Sequence, residues 1–162
     1  IDVPVHKLHH GKTVDEVPIE RFAKRAFVMD LTDKRPGEEI RRDDLDRFSD
    51  EVLDVSAVIL KTGWSKHFNE PDFFTSFPGL SEEAVEWLME HNIDLVGLES
   101  PSVNASRHAE IHTLLLENDV LIVESLTNLD SITNKYVDFF AVPLKFKGLD
   151  GSPVRAFAVE HE

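Results

Sequence analysis

Between residues 56 and 126 the chain alternates short apolar runs with amphipathic stretches, and this alternation restricts the fold more than any other feature. The segments "SAVILKT" (56–62), "IDLVGLE" (93–99) and "VLIVESL" (120–126) are aliphatic and β-branched. Continuous apolar runs of that length are the pattern of strands covered on both faces. Two helical stretches separate them. Ser81 is a good N-cap, Glu82 and Glu83 follow in the first turn, and Val85, Leu88 and Met89 form an inward stripe. Arg107 to Asn118 is the second, with Ile111, Leu114 and Leu115 facing in. Strands joined through helices pair in parallel, because the crossover returns the chain to the edge from which it left.

The flanking segments fit the same α/β class. "KRAFVMDLT" (24–32) is a further strand, Pro36-Gly37 is a turn, and "RRDDLDRFSDEVL" (41–53) is a weak surface helix carrying Leu45, Phe48 and Leu53. Residues 63–79 hold five aromatics and two prolines in an irregular stretch, the kind of loop that walls or covers a site. Residues 137–160 read as two antiparallel strands around the turn Leu149-Asp150-Gly151. No repeat or linker interrupts residues 1–162, so a single domain is expected.

Composition narrows the chemistry. Without cysteine, thiolate sites and disulfides are excluded, leaving histidine and carboxylate as the strong metal ligands. The net charge of -14 repels phosphate backbones and anionic lipid, so neither nucleic acid nor membrane is an expected partner. No apolar run approaches the roughly 18 residues that span a bilayer, and a cytoplasmic location is expected.

Several residues could carry that chemistry. In Asp2-Val3-Pro4-Val5-His6, extended backbone around the proline would put Asp2 and His6 on one face, half of a metal or acid-base site. His9 and His10 precede Gly11 in a turn and are expected in solvent. His108 and His112 stand four apart on one helical face, a spacing at which two imidazoles can grip one ion. Glu124 lies near the end of an apolar strand, where a carboxylate needs a partner, a metal or an exposed position. Spacing alone does not choose among these readings.

Taken together, these segments resemble the metal-dependent cyclase/hydrolase family that contains bacterial kynurenine formamidase (arylformamidase). Its hallmark is H-x-G-T-H-x-D-x-P-x-H, and Ile1 to His6 match the last six positions. "GKTVDEVPIERF", "ILKTGWS", "PGLSEEAVEWL", "LVGLESPSV", "IVESLTNLD" and "VPLKFKGLDGSPVRAFA" follow in the family's order. The resemblance implies a mixed-sheet β/β/α fold, swivelling-domain-like, with helices on one side. It is expected to be N-terminally incomplete here, with H-x-G-T-H upstream of Ile1. It also implies that Asp2 ligates or bridges the metal and that His6 is the catalytic histidine. The family's later ligands are a helix His and a strand Glu twelve positions apart, which selects His112 and Glu124 over His108. Zn²⁺ is the implied ion and Mn²⁺ the alternative.

The implied substrate is N-formylkynurenine or a related aryl or cyclic amide. Trp64 and Phe68, with Phe73 and Phe74 beside them, and Ser100 are the candidate substrate contacts. Sheet edges and apolar surface left open without the N-terminal strands imply a homodimer or homotetramer, with part of residues 63–79 at the contact. Glu99 and Asn104 stand where many members carry aspartates. This departure keeps two other readings open: a hydrolase of the same fold with an unrelated substrate, and a non-catalytic relative whose metal site is lost.

Overall fold

In the computed structural model, which describes residues 1–161, the apolar runs become the inner strands of a six-stranded sheet. The strands are β1 (Ala23–Asp30), β2 (Glu39–Ile40), β3 (Ala57–Lys61), β4 (Gly79–Leu80), β5 (Leu95–Leu98), β6 (Leu121–Val123), β7 (Tyr136–Phe140) and β8 (Phe157–Val159). The large sheet runs β6-β5-β3-β1-β7-β8, parallel from β6 to β1 and antiparallel from β1 to β8. β2 and β4 form a separate parallel pair. The helices are α1 (Arg42–Asp46), α2 (Glu82–Glu90) and α3 (His108–Glu117). The mixed α/β sheet has the parallel centre and antiparallel tail expected of the sequence.

Period-two alternation divides the strand side chains between two cores. Phe27, Met29, Val58, Leu60, Val96, Leu98 and Ile122 meet Val85, Trp87, Leu88, Ile111, Leu115 and Leu116 on the helical face. On the opposite face, Ala57, Ile59, Leu95, Leu121, Val123 and Phe139 meet Val3, Val14, Phe22 and Leu126. Both faces are covered, which is why the runs are continuously apolar rather than alternating. The inward stripes differ from the sequence reading in detail. Trp87 is fully buried while Met89 is only partly so, and Leu116 and His112 turn in more completely than Leu114.

Ser81 caps α2 as its position suggests, its Oγ accepting the Ala84 N–H at 3.2 Å. Ser81→Ala is expected to cost about 1 kcal/mol in chemical denaturation, the usual worth of such a cap.

Three expectations change. The 41–53 helix contracts to α1, with Leu53 turned out to solvent and Val52 buried in its place. The two-residue strands β2 and β4 are too short to leave any periodic signal. The tail is not a tight hairpin around residues 149–151. β7 and β8 do pair, Phe140 opposite Phe157, but residues 141–156 leave the sheet between them. That excursion reaches the start of the chain, where Gly151 bridges Asp2 and the Asp150 carbonyl accepts the Val3 N–H at 3.1 Å. Among the described residues, no helix is long and apolar enough to cross a membrane.

Candidate metal and active site

Asp2 is laid between two distant parts of the chain. Its N–H donates to the Ile122 carbonyl at 2.8 Å, and it forms bridges to Ile122 at the β6 edge and to Gly151. A Cβ on residue 151 would sit 2.8 Å from the Ile1 carbonyl oxygen and 2.9 Å from Asp2 Oδ1, so only glycine permits this approach. His6 reaches the same region by a different route from the one its sequence suggests. Pro4–His6 form a 3-10 turn rather than an extended segment, because proline's fixed φ also suits a first helical position.

His112 projects from α3 into the space beside Asp2 and is only 5% exposed. Its Nδ1 donates to the His108 carbonyl at 2.8 Å, since a carbonyl can only accept. Its Nε2 therefore faces the carboxylates, 3.7 Å from Asp2 Oδ2 and 3.1 Å from Glu124 Oε1. Glu124 lies just beyond the end of β6, and its buried Oε1 faces His112 as an ion pair rather than through an aligned hydrogen bond. The His6 ring is centred 5.7 Å from that of His112. One ligand atom each of Asp2, His6 and His112 lie within 4.8 Å of one another. His108 offers this cluster only its carbonyl, its side chain being exposed, and His9 and His10 stack on each other in solvent.

The electrostatics follow from this packing. Burial alone would depress the His112 pKa, but the Asp2 and Glu124 carboxylates beside Nε2 outweigh it and raise the value to about 9. Burial alone would raise the Asp2 pKa, yet the His112 imidazole 3.7 Å away and the nearby His6 hold it below the ordinary range. Without metal the cluster thus keeps a proton on Nε2. A divalent cation competes for the same lone pair, and its binding releases that proton. Two carboxylates and an imidazole form a donor set that fits such an ion.

A pH dependence with a definite sign results. The folded pKa of His112 lies above its ordinary 6.5, so its contribution to stability is complete below about pH 6.5 and is lost as pH rises through about 9. Chelator-treated protein should therefore melt at a lower temperature near pH 9.5 than near pH 6.5. Added Zn²⁺ should raise the melting temperature more at about pH 8 than at about pH 6, because less proton competes. A stabilisation by Zn²⁺ independent of pH would remove His112 from the ligand set.

The candidate substrate contacts separate into two groups. Trp64 is 2% exposed, its indole N–H donates to the Phe73 carbonyl at 3.1 Å, and it packs with Phe73 and Phe77 as the core of the 63–79 segment. Ser100 is 3% exposed and donates to the Ser102 carbonyl. Neither offers a surface to a ligand; both are satisfied inside the protein. Phe68 is exposed, and with Ser65, Phe73, Glu99, Ser125, Leu126 and Thr127 it lines a cavity of about 220 Å³. That cavity reaches Ser125, the residue after Glu124, whose φ of 58° turns the chain sharply at the site.

Glu99 and Asn104 have positioning roles. Glu99 Oε2 accepts the N–H groups of Thr62 and Gly63, and Oε1 accepts the Ser65 hydroxyl at 2.6 Å. Asn104 Oδ1 accepts the Ser106 and Arg107 N–H groups ahead of α3, while Nδ2 donates to the Leu80 carbonyl. Glu99→Ala would leave three donors without their acceptor at a site 3% exposed. A loss of about 2–4 kcal/mol in chemical denaturation is expected, and a loss below about 0.5 kcal/mol, the scale of an ordinary surface change, would contradict this anchoring role.

One residue escaped the sequence reading. Asp150 appears there only as part of a turn, yet its Oδ2 lies 3.0 Å from His6 Nδ1, across 144 positions of sequence. Aspartate followed by glycine is a turn signal, and nothing local ties it to a histidine at the other end of the chain.

Residues 1–105 match the family model described as Putative cyclase. Over 158 residues the chain is 30% identical to the kynurenine formamidase of Bacillus thuringiensis (strain Al Hakam), spanning 96% of this chain and 72% of that protein. Isatin hydrolase A from Ralstonia solanacearum superposes with a TM-score of 0.86 at 28% identity, over 98% of this chain and 70% of that one. A solved structure described as a potential metal-dependent hydrolase with cyclase activity gives a TM-score of 0.80 at 26% identity, over 100% of this chain and 77% of that one. Sequence shared along nearly the whole chain, together with a shared fold, leaves one assignment: this chain belongs to the cyclase family.

Proposed function

We propose that the protein is a metal-dependent hydrolase of C–N amide bonds, acting on N-formylkynurenine or a related aryl or cyclic amide. The observation that carries this reading is the convergence of two carboxylates on one buried imidazole nitrogen, with Asp2, His6 and His112 each offering a ligand atom within 4.8 Å of the others. Without an ion the protonated His112 ring balances these carboxylates, and a divalent cation would take over that role. Relatives named kynurenine formamidase and isatin hydrolase support hydrolysis of an amide bond in an aryl compound.

Asp2, His112 and Glu124 would hold the ion, Zn²⁺ in this reading with Mn²⁺ as the alternative. When bound, the ion supplies Lewis acidity and brings the pKa of water down to about 7. The chain's own residues do the rest. His6 stands beside the donors and delivers a proton to the leaving amine. Phe68 and Phe73 give an aryl ring an apolar wall, and Ser65, Ser125 and Thr127 line the same cavity with hydroxyl groups. Glu99 holds the start of that wall in place.

A panel of formylated and cyclic aryl amides tests the proposal. Hydrolysis that is lost with chelator and restored by Zn²⁺ or Mn²⁺ is the expected result. Metal-loaded protein that cleaves no member of the panel would defeat it.

The same proposal includes a homodimer or homotetramer, a cytoplasmic location, and no nucleic-acid or membrane partner for a chain of net charge -14. Self-association is supported by exposed Phe68 and Phe74 in the 63–79 segment, by Val142, Leu144 and Phe146 in the tail excursion, and by Phe157 and Val159 on the edge strand β8. Light scattering at micromolar concentration should report more than one chain per particle, and a monomer would contradict it.

A further inference from the structure

The tail excursion is fastened along the first fifteen residues. The Val14 N–H donates to the Leu149 carbonyl at 2.9 Å, the Gly148 N–H to Asp15 Oδ1 at 2.8 Å, and the Val3 N–H to the Asp150 carbonyl at 3.1 Å. Gly151 then presses against Asp2 with no room for a side chain. These contacts fix the backbone on both sides of Asp150 relative to Asp2 and His6. The His6 backbone is held as well: its N–H donates to the Val3 carbonyl at 2.9 Å, and Gly11 folds over Pro4 and Val5 so closely that a Cβ there would lie 2.4 Å from the Pro4 carbonyl carbon. Between these two fixed segments, Asp150 Oδ2 and His6 Nδ1 meet at 3.0 Å.

We propose that Asp150 is a positioning residue for His6: its carboxylate accepts the Nδ1–H, which fixes the imidazole's orientation and tautomer and leaves Nε2 as the nitrogen that exchanges a proton. The physical basis is the acceptor-only character of an ionised carboxylate. It can bind the Nδ1–H tautomer and the imidazolium, but has no hydrogen to offer a bare Nδ1. An imidazole in water populates both tautomers and rotates freely, and one proton-transfer geometry needs a single tautomer at a fixed angle. The pair is partly exposed, at 29% for the His6 side chain and 61% for Asp150, so it adds little to stability. Its value lies in orientation. The inference rests on the proposed role of His6, and adds to it a residue from the far end of the chain.

Asp150→Asn is the discriminating variant, because it is nearly isosteric but presents an N–H₂ that can donate to Nδ1 and favour the opposite tautomer. Long-range ¹H–¹⁵N correlation spectra of the zinc-loaded protein should show His6 mainly as the Nδ1–H form in the wild type and shifted toward Nε2–H in Asp150→Asn. In the same samples kcat should fall about 10–100-fold, the usual cost of losing such a supporting carboxylate. KM should stay within about threefold and the metal-to-protein ratio should not change, since the Asp150 carboxylate neither lines the cavity beside Ser125 nor faces His112 Nε2. Asp150→Ala should lower kcat to a similar extent. Rescue by Asn to within about threefold of wild-type kcat would show that Asp150 only fills space or makes a neutral hydrogen bond. That result, or an unchanged His6 tautomer, would overturn the proposal. Should wild-type protein hydrolyse no amide at all, the functional reading falls, and the tautomer spectra alone decide whether Asp150 positions His6.

Discussion

Asp2→Ala should remove bound metal and hydrolytic activity together. Asp2 Oδ2 stands 3.7 Å from His112 Nε2, and Glu124 Oε1 stands 3.1 Å from the same nitrogen. Deleting one of these carboxylates takes away a donor and half of the negative charge that an incoming cation would meet. Supporting residues around metal ligands are worth about 10–100-fold in affinity, so loss of a ligand itself should exceed that range. Elemental analysis after dialysis should find well under one ion per chain in Asp2→Ala, with kcat/KM falling in parallel. The fold should survive. The Asp2 main chain still pairs with Ile122 and Gly151, and neither bond uses the side chain. Asp2→Asn keeps one oxygen ligand without the charge, and should fall between wild type and alanine in metal content. Stoichiometric metal in Asp2→Ala, with activity gone, would instead make Asp2 a catalytic group and leave the ion to His6, His112 and Glu124.

How much of this site the sequence reveals depends on whether each residue's job is local. The central strands are legible because β3, β5 and β6 are buried on both faces and so carry unbroken apolar runs. α2 is legible because Ser81 and its acidic first turn announce it. β2 and β4, two residues each, exist only through pairing with each other, and pairing leaves no local trace. Among the site residues, His112 and Glu124 are chosen by a resemblance in identity and spacing; the helical period alone gives equal standing to His108, whose ring is exposed. Asp2 and His6 are brought together as expected but for a different reason, a 3-10 turn in place of extended backbone. The aromatic stretch shows the opposite failure. Its composition says that aromatics cluster, but only packing decides that Trp64 faces inward and Phe68 outward. Glu99 and Asp150 are the least legible, because each acts on a segment distant in sequence: Glu99 on residues 62–65 and Asp150 on His6.

His6→Ala should separate proton transfer from metal binding. His6 lies within ligand distance of the Asp2 and His112 cluster, so geometry alone allows it to be either a fourth donor or a proton carrier. Two features favour the carrier. Its Nδ1 is engaged by Asp150, and its side chain is 29% exposed against 6% for His112, leaving it room to meet a substrate and to exchange its proton. Glu124, by contrast, directs a buried oxygen at His112 Nε2. Removing the His6 imidazole should therefore leave about one ion per chain, as in the wild type, and lower kcat by about 10²–10⁴-fold, the range that a positioned acid-base group contributes. That range corresponds to about 3–5 kcal/mol of activation free energy. The melting temperature should change little, because a partly exposed side chain leaves no sealed cavity behind. If metal content falls with kcat, His6 is a ligand and the proton carrier must be sought elsewhere. If turnover stays within about threefold of wild type, His6 only closes the turn before Gly11, and its catalytic role is withdrawn.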